Sequence, residues 1–228
     1  MTALLAINLD GFIVLGADQL QVAQIDGRIV GGRLHRKIVL SADPQFMIAT
    51  GGSGSLDPVR VTAATAPTMK PSSEYVADLV RAELNRSGRI NLTSRKELAR
   101  ELQALLRRHV QAQDANIREA EHRLNVFTGY KVDGAAQFLQ FEVLNTRDVE
   151  PDDIHLNDTD CSFFPESLRP YFQRLPALPD RRLQTVIEHV RRVLRGAIDQ
   201  EQRTLGDQAN VGGDVDIAVI DAAGVRFV

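Results

Sequence analysis

The order of elements legible in the sequence predicts an α+β fold, a four-layer αββα sandwich. Three observations carry that prediction. Apolar runs interrupted by Asp-Gly open the chain, two segments of helical period follow in its middle, and a third precedes a final pair of apolar runs. Strands, two helices and strands again is the order in which two stacked sheets carry helices on their outer faces. The 228 residues hold no internal repeat, low-complexity segment or long linker, so one domain, residues 1–228, is the simplest organisation.

The first hairpin is predicted from Leu4–Ile7 and Phe12–Leu15, which flank Asp10-Gly11, because a tight primed turn needs positive φ. Gln19–Ile25 and Arg28–Val30 around Asp26-Gly27 read as a second hairpin, broken by Gly31-Gly32. Strands around Lys37–Leu40 and Phe46–Thr50 come next, the latter running into Gly51-Gly52-Ser53-Gly54. A helix is expected over Ser73–Leu84, with Val76, Leu79, Val80 and Leu84 on one face. A second starts at Ser94, with Glu97 completing a capping box and Leu98, Leu102, Leu105, Leu106 and Val110 as its stripe. Leu124–Tyr130 and Gln137–Leu144 read as strands joined through Asp133-Gly134. Residues 146–180, with five prolines, carry little periodicity. From Arg181 to near Gly206 the helical period returns, with Asp180 as its cap, and the hairpin Val215–Ile220 with Val225–Val228 closes the chain.

Composition narrows the function classes. Apolar residues make up 43% and charged residues 25%, as in ordinary globular domains. The net charge of −3 lacks the basic face expected of a nucleic-acid binder. No apolar stretch approaches the ~18 residues of a membrane span, and the strand-like start lacks the basic region of a secretory leader. The lone Cys161 makes no internal disulfide and reads as a buried spectator thiol, so a cytoplasmic setting is expected. The five histidines are scattered without metal-ligand spacing, so no metal and no cofactor is expected.

The chemistry gathers at the start. Only Met1 precedes Thr2, and a small second residue favours removal of the initiator. Thr2 then carries a free α-amine, with a pKa near ~8, beside its own weakly nucleophilic hydroxyl, and such an amine is a suitable base. The pattern Thr2-x8-Gly11-Phe-Ile-Val-Leu-Gly-Ala17-Asp18 resembles the start of a proteasome-type β subunit, including the bacterial two-ring relatives. Thr2 and Asp18 match that family without a gap. Lys37-Ile38 fits its catalytic lysine if three residues are inserted near Asp26-Gly27, and Gly51 or Gly52 fits its oxyanion glycine. The resemblance spans about a fifth of the chain. Gly129-Tyr130 and Phe138-Leu139 are similar to the family's central hairpin.

The resemblance implies an N-terminal nucleophile hydrolase, a sandwich of that type, and a threonine peptidase cutting peptides or unfolded proteins. Thr2 Oγ attacks, its amine moves the proton, Lys37 lowers their pKa values, Asp18 fixes Lys37, and a glycine N–H stabilises the oxyanion. Two positions depart from the family pattern. Asp160-Cys161-Ser162 replaces its serine-rich turn, leaving Ser162 as the stand-in, and Asp207 lies one place out of register before Gly212-Gly213 with no serine beside it. The resemblance also implies a homo-oligomeric ring, two such rings stacked, and an ATPase as a potential partner. With no propeptide before Thr2 beyond Met1, the simpler homomeric relatives fit best. Two alternatives stand: a catalytically silent ring-forming scaffold, and an amidase acting on small molecules with the same nucleophile.

Overall fold

The computed structural model describes residues 2–9, 11–25, 28–150, 153–156, 161–164 and 180–228. Met1, Asp10, Asp26, Gly27, Asp160 and most of the proline-rich stretch lie outside the described residues. The strands are β1 (Leu4–Leu9), β2 (Phe12–Asp18), β3 (Leu20–Ile25), β4 (Arg28–Leu34), β5 (Val39–Ala42), β6 (Gln45–Gly52), β7 (Arg123–Val132), β8 (Ala135–Leu144), β9 (Ile154–Leu156), β10 (Cys161–Phe164), β11 (Val215–Asp221) and β12 (Gly224–Phe227). The helices are α1 (Ser72–Ser87), α2 (Leu92–Gln111), the single turn α3 (Ala115–Arg118) and α4 (Leu183–Leu205).

The four-layer αββα sandwich is not what forms. Among the described residues the chain is a mixed α and β structure of twelve strands in three antiparallel sheets, with four α-helices. One sheet runs β10-β1-β2-β11-β12, a second runs β5-β6-β7-β8-β9, and β3-β4 is a two-stranded ribbon outside both. Two features depart from the expected layers. The ribbon satisfies its ladder internally instead of extending a sheet. The helices are unevenly shared, with α1 and α2 on β5, β6 and β8 and α4 alone on β1, β2 and β11.

Between the two five-stranded sheets lies a core of Leu4, Ala6, Ile13, Leu15, Met47, Ala49, Phe127, Phe138, Ala218 and Ile220, all almost fully buried. The alternate positions Ala3, Leu5, Ile7, Val14, Ile217 and Val219 turn the other way, onto Val186, Val190, Val193, Leu194 and Ala197 of α4. Each buried valine, leucine or isoleucine among them contributes about 1.5–3 kcal/mol. Close contact of α4 with β2 depends on Gly16, where a Cβ would stand 2.5 Å from both Val190 and Leu194.

Several local expectations need correction. β4 continues through Gly31 and Gly32, which pair with Ala23 and Val22. The capping box of α2 lies three residues earlier than expected. Asn91 Oδ1 accepts from the Ser94 N–H, and Ser94 Oγ accepts from the Asn91 N–H. The residue before α4 is Arg182, without a side-chain cap, and Asp180 instead accepts from the Arg182 backbone and guanidinium. Cys161, expected to be buried, is exposed on β10. The β7–β8 turn follows its sequence signal, with φ of 51° at Asp133 and 83° at Gly134.

Candidate active site

Asp18 ends β2 fully buried, at the point where three segments meet. Its Oδ1 accepts from Lys37 Nζ and from the Ala3 N–H, each at 2.7 Å. Its Oδ2 accepts from the Leu20 and Gly212 N–H groups, each at 3.1 Å. Four donors from four places in the chain therefore share one carboxylate, and the backbone repeats the link: Asp18 N–H donates to Ala3 O, and the Gln19 and Leu20 N–H groups both donate to Gly212 O. An isolated buried charge is costly, and this degree of pairing is what burial of Asp18 and Lys37 requires. Burial pushes the Lys37 ammonium below the usual lysine range, opposed by the charge of Asp18. Burial also pushes the Asp18 carboxyl up, against the pull of Lys37 and the Ala3 and Gly212 N–H groups.

Thr2 is half-buried at the head of this cluster. The peptide N–H that follows it, that of Ala3, meets the Lys37 ammonium on the same oxygen of Asp18. Ala3, Leu5 and Ile7 face α4 while Leu4 and Ala6 face the second sheet, so alternation carries Thr2 to the inter-sheet side.

The glycine-rich end of β6 reaches the same place. Leu4 pairs with Phe164 of β10, and a Cβ on Gly51 would lie 2.2 Å from the Phe164 ring. Only glycine lets this strand close on the start of β1. Gly52 has φ of +92°, and a Cβ there would meet Arg123 O at 2.2 Å. The Ser53 N–H donates to Arg123 O, which sets the alternation of the β6–β7 ladder. Gly51, opposite Asn125, then falls in the hydrogen-bonded phase and spends its N–H on β7. Gly52 falls in the other phase, its N–H turned to the edge of β6 that β5 leaves after Ile48. Of the two glycines, Gly52 has the donor to spare for an oxyanion.

Ser162 and Asp207 sit on other elements. Ser162 is buried opposite Ala6 of β1, four positions from Thr2 and so ~13 Å along the strand. Asp207 is exposed on a 3-10 turn after α4. The structure instead brings in Gly212, Gln19 and Asp216. Asp216 Oδ1 accepts from Gln19 Nε2 at 3.0 Å and lies 3.8 Å from Arg36 Nε, while its Oδ2 has no partner among the described residues. An aspartate inside the apolar run Val215–Ile220 was the signal for Asp216, and the Gly-Gly after a helix was the signal for Gly212. Among the described residues, no group of three or more His, Cys, Asp or Glu side chains is placed to hold a metal, and no helix is long and apolar enough to cross a membrane. No protein-family model and no curated protein matches the chain.

Proposed function

We propose that this chain is a threonine peptidase subunit of proteasome-like type. It hydrolyses peptide bonds with Thr2 once that residue is N-terminal, inside a cytoplasmic ring of its own copies. The observation that carries the proposal is the single carboxylate oxygen shared by the Lys37 ammonium and the N–H immediately after Thr2. A cation fixed beside the first peptide unit favours the neutral amine and the developing alkoxide there. The ring, a second stacked ring and an ATPase partner rest on the resemblance in sequence.

Thr2 Oγ attacks the substrate carbonyl as its proton passes to the Thr2 α-amine. The tetrahedral oxyanion accepts from the Gly52 N–H, a contact of a kind whose loss costs about 3 kcal/mol in the transition state. The amine returns the proton to the leaving nitrogen as the C–N bond breaks, leaving an ester on Thr2. Water, deprotonated by the same amine, attacks that ester and frees the acid product and the Thr2 hydroxyl.

The place of Ser162 opposite Ala6, ~13 Å along β1 from Thr2, favours one further reading, a silent scaffold subunit. Peptide turnover separates the two. Thr2→Ala is expected to abolish hydrolysis of unfolded polypeptide with the melting temperature unchanged, and Lys37→Ala to abolish it as well. Hydrolysis retained by Thr2→Ala would contradict the peptidase, and no hydrolysis by the unsubstituted protein with Thr2 N-terminal would favour the scaffold.

A further inference from the structure

A cavity of about 280 Å³ opens where the β3–β4 ribbon faces the segment 61–69 and the C-terminal part of α2. It begins where the cluster around Asp18 ends. β3 enters its wall directly after Leu20, whose N–H is on Asp18, and Gly54 enters it two residues after Gly52. Its size falls just under the roughly 300–1,000 Å³ of pockets for whole small ligands, which suits one side chain of a longer ligand.

Its walls are mostly apolar, with Val22, Val61, Ala63, Ala66 and Met69. One permanent charge lines it, that of Arg33. His109, also in the lining, is hydrogen-bonded through Nδ1 to Asp57 O, and burial holds it below the ordinary histidine value. The Arg33 guanidinium is held by neutral acceptors. Nε donates to Gln21 Oε1 at 3.0 Å, one terminal nitrogen to Pro67 O at 2.7 Å and the other to Met69 O at 3.2 Å. Gln21 is itself tied to Gly54 O at 3.2 Å, so the cation is registered against the glycine-rich strand end. Three of its five N–H donors are engaged and two are left. Among the described residues, no carboxylate pairs with Arg33. A half-buried fork in a fixed position, with two donors unspent and apolar walls around it, matches a carboxylate on a short aliphatic stem.

We propose that this cavity takes an acidic side chain of the peptide substrate, glutamate or aspartate, with its carboxylate on the two remaining Arg33 donors. The assignment deepens the peptidase reading and rests on it, so its test reads binding apart from turnover. The probe is an alanine hexapeptide blocked at both ends, fluorescently labelled, with one glutamate or one glutamine at its third position. Anisotropy titrations use the Thr2→Ala protein at neutral pH and low salt. The glutamate peptide is expected to bind at least tenfold tighter than the glutamine peptide. Arg33→Gln should equalise the two, and Arg33→Lys should reduce the preference severalfold while keeping part of it. Equal affinities in the Thr2→Ala protein would overturn the proposal, as would a preference unchanged by Arg33→Lys, which decides the matter if Arg33→Gln does not fold. Hydrolysis of polypeptide by the unsubstituted protein is scored separately. Acid-selective binding without hydrolysis would remove the peptidase and leave the cavity assignment intact, whereas hydrolysis without acid selectivity would do the reverse.

Discussion

Asp18 does two jobs with one side chain: it holds Lys37 at the head of β1, and it stitches Ala3, Leu20 and Gly212 together. The residues nearby bear the cost. His35, two positions before Lys37, has a buried Nδ1 without a partner among the described residues, and burial, helped by the charges of Arg33 and Lys37, lowers its pKa to about 4. The sign of the resulting pH dependence follows. Below its ordinary value near 6.5 the unfolded chain takes up a proton that the folded chain refuses until about pH 4. Stability is therefore complete above pH 6.5 and falls as pH drops through that window. Denaturant midpoints at pH 7 and pH 4.5 are expected to differ less for His35→Gln than for the unsubstituted protein. An identical pH dependence in both would show that His35 does not carry the effect.

At the scale of elements, what was legible in the sequence was what is local. Asp133-Gly134 announced its turn because positive φ is a property of those residues themselves. The stripe of α4 was readable from period alone, and Val186, Val190, Leu194 and Ala197 are buried. Sheet membership is not local. Nothing within Leu20–Leu34 says that this hairpin keeps to itself, and the Gly31-Gly32 pair, read as a break, sits inside β4 because a ribbon with few packing demands tolerates it. Capping was misread for a different reason. Ser94 has the right chemistry for a cap, but Asn91 does too, and the reciprocal bonds between them start α2 earlier. Asn91→Ala should cost about 0.5–2 kcal/mol in denaturant unfolding, and Glu97→Ala close to nothing. The opposite ranking would put the start of α2 back at Ser94.

Across the whole molecule, residues far apart in sequence converge on one edge, where β1 begins and β6 ends. Thr2, Asp18 and Lys37 stood out as a set only through the resemblance in sequence, and the structure joins two of them, Asp18 and Lys37, in a buried ion pair. Gly52 rather than Gly51 emerged only from the ladder phase, and Arg33 only from the fold of segment 61–69 over the ribbon. Ser162 and Asp207 rest on position along the chain alone, and the place of Ser162 opposite Ala6 reflects a strand register that no local pattern encodes. The central claim is that Thr2 is a working nucleophile with a free amine, and the intact mass after incubation with a peptide epoxyketone tests it most directly. That warhead closes its ring adduct only on a residue offering both an α-amine and a β-hydroxyl. The account predicts a mass beginning at Thr2 plus one inhibitor, with the adduct mapped to Thr2 and absent in Thr2→Ala. A chain beginning at Thr2 that gains no inhibitor would contradict it.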